Sequence, residues 1–427
     1  MQTDSITHAR NSVGIAILWI MPSFVYFLKE LFGFSGTPLF SGLFNVLGLL
    51  LMLNRSSLKV AFKTNPVLSF WGLSLFLLTV LYFFIFNSHP PSFYLELINL
   101  SVVAAYFILL LRINNEAQSY LIWIIFLATF LINVILIYSI STNPDFVMGA
   151  RATVQFKRQG NSDYSGNPYV YSRNGLFGFV ISLLMIHMKP VLVKSYSFFT
   201  RLLLHINLWI SLIVIIITQT RATFLALAII LVLAFVFVFK LNRQFFSPSK
   251  SAYFFYGLIA LMINYIDNRF HIIETISGYY SNYAALIERA VLTGTKLGKV
   301  SEQDASAMGR VRNIEYFSLE WRQNTYEFIF GHGYRFKYMD IPVLESFLNF
   351  GILGLLLFLG LQVALIYYAI KSLRSGLLFQ TFLGLIYFHT FIFIFTSGRP
   401  TDLPYWVSYF IFIRFLGVFH EQKIQKI

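Results

Sequence analysis

The chain contains no cysteine, which excludes disulfides and thiolate metal sites and settles little else. Charge is scarce as well. Only 12% of the 427 residues are Asp, Glu, Lys or Arg, about half the ~25% of soluble domains. Acidic residues are the scarcer sign, 18 against 32 basic, and inside the long apolar runs only Glu96, Glu345 and, near the end of the first, Glu30 occur. No G-x-x-x-x-G-K-[ST] loop is present, so transport driven by P-loop ATP chemistry is not expected. Neither an H-E-x-x-H motif nor a Cys/His cluster is found, so neither a metal nor another cofactor is expected. Internal repeats and low-complexity tracts are also missing. The first apolar run, 12–32, lacks a small-residue cleavage site and is long enough to span a bilayer, so it reads as a helix and not a cleavable signal.

What is present is apolar. Hydrophobic residues make up 57% of the chain, phenylalanine alone accounts for 48 residues, and mean hydropathy is +0.69. A bilayer-crossing helix needs roughly 20 mostly apolar residues. About twelve runs qualify: 12–32, 36–54, 67–87, 94–111, 120–140, 172–188, 202–219, 222–240, 251–266, 342–370, 375–396 and 404–418. The expectation is an all-α, polytopic integral membrane protein with about 12 transmembrane helices, a single transmembrane domain over 1–427.

Lys and Arg set its orientation. With the N-terminus in the cytoplasm, short inner segments hold 15 of the 32 basic residues, from Arg10 through Lys371 and Arg374 to Lys426. Short outer turns hold only Lys29, Arg221 and Arg399. The +14 net charge is then largely a topogenic signal. It is not a nucleic-acid footprint, because no basic stripe interleaves with aromatics on a soluble face.

Two segments break the short-loop pattern, both on the outer side: 141–171 and 267–341. Loops this long in a compact protein are functional or disordered. The second carries nine basic and nine acidic residues. Its Ile314, Phe317 and Leu319 are spaced for one helical face, so it reads as partly helical. The first carries Arg151, Lys157 and Arg158, and Arg173 follows just inside the next helix. Add Arg221, Arg310, Arg312 and Arg322, and several arginines could converge on one outward-facing cavity. A guanidinium offers a rigid fork of donors that matches phosphate and stays protonated. Taken alone, Arg221 reads equally well as an interfacial anchor. Gly331 and Gly333 allow backbone geometries closed to other residues. Asp340, before Pro342, suits a helix N-cap. Glu96, a little inside the fourth span, is a candidate coupling group for a transporter.

Four stretches resemble the O-antigen polymerase (Wzy-type) and O-antigen ligase group of polytopic bacterial glycan enzymes. "SGNPYVYSRNG" (165–175) is similar to the Asn-Pro element that closes the first loop. "TQTRATFLALAI" (218–229) resembles the Ser/Thr-Arg turn between two spans. "MGRVRNIEYFSLEW" (308–321) is similar to the Gly-Arg helix of the large loop. "FGHGYRFKYMDIPVLESFLNFGILGLLLF" (330–358) resembles the G-x-G element and the helix ending in Gly-Ile-x-Gly. Where ligases of the group carry a His-Asn pair, this chain has Asp340 and Ile341, which favours the polymerase.

The resemblance implies a GT-C-like fold with two periplasmic loops, in a bacterial inner membrane, and metal-independent glycosyl transfer at the periplasmic face. A growing glycan would move from undecaprenyl pyrophosphate to the terminal sugar of a lipid-linked repeat unit. The implied partners are that lipid-linked oligosaccharide, membrane lipid and a chain-length regulator, with no nucleic acid. Implied catalytic residues are Arg221 and Arg310 on the pyrophosphate and Asp340 as base or acceptor-orienting group. Arg151 or Arg158, with Arg173, Asn167, Arg312, Gly331 and Gly333, would bind substrate. A ligase and a flippase of lipid-linked oligosaccharide are the rivals. The two outer loops and short inner ones favour an enzyme over an alternating-access carrier.

Overall fold

The computed structural model describes residues 2–32, 37–53, 61–86, 93–143, 151–154, 167–188, 196–239, 257, 305–320, 325–419, without the side chains of 2–4, 21, 37–39, 305–308, 310 and 311. Among them, every extended element is helical: α1 Gln2–Phe32, α2 Thr37–Met52, α3 Pro66–Ile85, α4 Phe93–Leu110, α5 Ala117–Thr142, α6 Pro168–His187, α7 Phe198–Thr218, α8 Arg221–Leu233, α9 Ala305–Glu320, α10 Thr325–Phe330, α11 Pro342–Leu373, α12 Leu378–Phe393 and α13 Leu403–Phe415. A π-helical turn, Ala234–Val238, extends α8.

Seven helices are long and apolar enough to cross a membrane, or eight if α1, bent by 74° between Ile20 and Pro22, counts as one span. Large apolar side chains such as Leu77, Val232 and Val363 point outward, as expected where lipid is the solvent. The protein is therefore membrane-embedded and polytopic. The expected run 251–266 lies outside the described residues apart from Gly257. Three other expected spans, α2, α12 and α13, are short. At 1.5 Å per residue they reach roughly 24, 24 and 20 Å, less than the ~30 Å hydrocarbon core. Of these, α12 and α13 are packed inside protein, with Trp406–Phe415 wholly buried.

Helix starts are written locally. Asn65 and Asn167 each precede a proline at N1, and each side chain accepts backbone N–H groups of the first turn. Proline loses nothing there, because its missing N–H would be unpaired anyway. Between helices, polar side chains join what apolar surface cannot. Asn133 donates to Ser211 (2.9 Å) and Asn207 to Ser182 (2.9 Å), linking α5, α6 and α7.

α11 is broken. Its 32 residues are interrupted at Gly351 (φ 63°, ψ −160°), a conformation only glycine adopts readily. The break frees carbonyls that another segment satisfies. His332 N–H donates to Leu348 O (2.7 Å) and Gly333 N–H to Asn349 O (3.0 Å). A Cβ on Gly351 would stand 2.1 Å from Ile329 O, so α10 and the following loop lie directly across the kink.

Opposite helix ends form two faces. At the N-terminal face, Ser12 near the start of α1 donates to Ala117 O (2.9 Å), and the fully buried Arg414 at the end of α13 donates to the carbonyls of Lys63 and Ile113. The other face collects the starts of α4, α6, α8, α11 and α13.

Candidate functional site

The loop 331–341 carries the densest chemistry of that second face. Its first residues are tied to the α11 break, and Tyr334 N–H donates to Phe86 O at the end of α3 (2.9 Å). Two non-glycine residues in it, Arg335 (φ 55°) and Asp340 (φ 54°), adopt the left-handed region. Each costs about 1 kcal/mol or more and persists where surroundings over-determine it.

Those surroundings are a network of ions. The Arg335 guanidinium forks between Glu96, in the first turn of α4, and Asp402, which precedes α13. Tyr334 Oη donates to the other Glu96 oxygen (3.0 Å). The second Asp402 oxygen accepts Arg399 N–H (3.1 Å). The Arg399 guanidinium pairs with the buried Glu345 (3.3 Å), donates to Arg335 O (3.3 Å) and lies over the Tyr338 ring. Burial pulls the Arg335 guanidinium down, but Asp402, Tyr334 and Glu96 more than reverse this, so its proton is held more tightly than usual. Burial pushes the Tyr338 hydroxyl up, as does its hydrogen bond to Asp340. Glu96, Asn99, Tyr334, Arg335, Thr401 and Asp402 supply the polar part of a cavity of about 210 Å³. Four carboxylates (Glu96, Asp340, Glu345, Asp402) thus meet two guanidiniums. Such a site holds hydroxyl groups and accepts a proton better than it holds an anion.

A cationic arm lies beside it. Arg173, on the second turn of α6, is partly buried; it reaches Ser408 Oγ (3.4 Å) and stacks over Phe177. No ion pair with Arg173 occurs among the described residues. Ser408 also accepts from Trp19 Nε1 (3.2 Å), so α1, α6 and α13 meet there. Tyr405 lies within electrostatic reach of Arg173, Asp340 and Asp402, which joins the arm to the acidic cluster. Arg221 opens α8, and Thr223 two residues later shares a 3.0 Å hydrogen bond with Ser172, the neighbour of Arg173. Ala152 N–H donates to Ile217 O at the end of α7 (3.0 Å), which places Arg151 at the same face, exposed. Asn313 Nδ2 donates to Met339 O (2.7 Å) and ties α9, with Arg312 exposed on it, to the loop. The Arg310 side chain, Arg158 and Arg322 lie outside what is described.

The structure corrects two expectations. Asp340 does not cap α11. Ile341 occupies the N-cap without a side-chain bond, and Asp340 accepts from Tyr338 Oη (2.8 Å) and Gly398 N–H (3.2 Å) because its left-handed φ turns it toward α12's end. The triplet Ile314, Phe317, Leu319 does not share a buried face. Phe317 packs on Phe347, while Ile314 and Leu319 are exposed; Leu319, two residues on from Phe317, is turned away from it by about 200°. Glu96, the candidate coupling group, is held by Arg335 and Tyr334.

Asn167 and the two loop glycines have visible structural work. The Asn167 side-chain oxygen caps α6 through Tyr169 N–H (3.0 Å), and a Cβ on Gly331 would stand 2.5 Å from Asn349 O. Sequence reasoning missed Arg335, Arg399 and Asp402 as site members. The available signal was charge itself: in so apolar a chain, "SGRPTD" (397–402) places two charges beside a span.

No protein-family model matches the chain, and no curated protein matches it.

Proposed function

We propose that the chain is a glycosyltransferase of the extracytoplasmic membrane face that extends a surface polysaccharide from a lipid pyrophosphate donor. The observation that carries this reading is Arg173: a partly buried guanidinium where α1, α6 and α13 meet, held by a hydroxyl and a ring, with no carboxylate paired to it among the described residues. A charge at membrane depth is costly and marks a ligand path by default. The anion that suits such a donor fork is a phosphate or diphosphate.

In the proposed reaction, Arg173 and Arg221, with Arg151 at the rim, grip the pyrophosphate. Charge develops on its bridging oxygen as the sugar C1–O bond breaks, and fixed cations stabilise that charge without reorganisation. The acceptor hydroxyl forms the new C1–O bond and gives its proton to a carboxylate. Asp402 suits that role better than Asp340. It lines the cavity beside Glu96 and Thr401, whereas Asp340 is not among the lining residues. Arg335 and Arg399 hold Asp402 in place. The lipid tail lies along the apolar outer surface of the helices.

The test uses complementation in the native host, followed by electrophoresis of surface glycan. Arg173→Ala and Asp402→Asn are expected to leave single repeat units on the core. Loss of all attached sugar would point to a ligase, and repeat units trapped on the inner leaflet to a flippase. Wild-type ladders from both variants would sink the assignment.

A further inference from the structure

We propose that Glu320, Glu327 and His332 form a divalent-metal site, best suited to Zn²⁺, that clamps the α9–α10 segment onto the break in α11. This inference does not depend on the transferase reading. The three residues come from the last turn of α9, from α10 and from the loop that follows it. Each offers one ligand atom, and the three atoms lie within 4.8 Å of one another. His332 Nδ1 stands 3.6 Å from Glu327 Oε1 and His332 Nε2 3.9 Å from Glu320 Oε1, so an ion takes one ring nitrogen and the other carboxylate swings toward it.

The imidazole is fixed independently of the carboxylates. Its ring stacks on Phe336 (4.4 Å, 13°), and its backbone N–H is bonded to Leu348 O. Gly331 N–H donates to Glu327 O (2.7 Å), which sets the approach of the second ligand. Tyr316 hydrogen-bonds to Glu320 and orients the third. Hydrogen bonds from neighbouring groups to the ligating residues are what hold metal ligands in place. The His332 side chain is 10% exposed, and the carboxylates are 24% and 32% exposed. The site is thus packed yet reachable from solvent.

Charge selects the occupant. The cluster gathers two carboxylates at one imidazole, and a 2+ ion neutralises both. Imidazole favours zinc and its neighbours over magnesium or calcium. Closing on an ion at about 2.0–2.2 Å needs side-chain shifts of roughly 1 Å. The rival reading is a protonated His332 bridging two glutamates without metal.

The experiment takes the full-length protein in detergent, stripped with chelator, then dialysed against micromolar Zn²⁺ and measured for bound zinc and for melting by tryptophan fluorescence. Wild type is expected to bind about one equivalent and to melt higher with zinc than without. Glu327→Gln, which preserves shape, should weaken binding by roughly 10-fold or more, as lost metal contacts do, while melting like wild type in chelator. His332→Ala should do the same if it folds; Glu327→Gln carries the test if it does not. Zinc retained equally by wild type and Glu327→Gln, or no zinc bound by wild type, overturns the proposal.

Discussion

Replacing Arg335 by methionine leaves Glu96 and Asp402 facing each other across the space of a lost cation. The Glu96 side chain is 7% exposed and Asp402 32%, so water relieves the second far more than the first. Removing one partner of a buried pair costs about 3–5 kcal/mol, because the remaining charge is stranded. With an unfolding entropy near 2 cal/mol/K per residue, this corresponds to a melting shift of roughly 4–6 °C for a chain of this size. The chain lacks cysteine, so thiol-reactive dyes cannot report, but its six tryptophans can. Scans at one fixed rate compare variants even if unfolding is irreversible. Arg335→Lys should recover only part of the loss, since an ammonium cannot fork to two carboxylates. Adding Glu96→Gln to Arg335→Met should restore at least half, because the stranded charge is then gone. A single variant melting within 1 °C of wild type, or additive losses in the double variant, would refute the reasoning.

Arg173→Met is expected to melt no lower than wild type while losing polymer in cells; a melting loss as large as that of Arg335→Met would make Arg173 a structural residue. Gly351→Ala forces a side chain into left-handed backbone and against Ile329 O. The backbone alone costs at least about 1 kcal/mol, so yield of monodisperse protein should fall sharply, and normal yield would show that α11 is not broken there. Asn167→Ala should cost about 1 kcal/mol through the lost cap, whereas Asn167→Asp should keep both stability and glycan ladders. A ladder lost in the aspartate variant would make Asn167 a ligand-binding group after all.

The sequence by itself determined the solvent and the local grammar. Apolar run length demanded membrane helices, and Asn-Pro and Pro342 marked where three of them begin. Arg151, Arg173 and Arg221, placed on one side by counting spans, do share a face. Tertiary structure decided the rest. Whether a 13-residue run such as Leu403–Phe415 meets lipid or protein depends on what packs around it, which no local pattern encodes. Arg335 finds its partners 239 and 67 residues away. Ion pairing acts over a few ångströms of space and is blind to separation along the chain, so the pairing of Glu96, Arg335 and Asp402 could be read only once α4, the loop and α13 had been brought together.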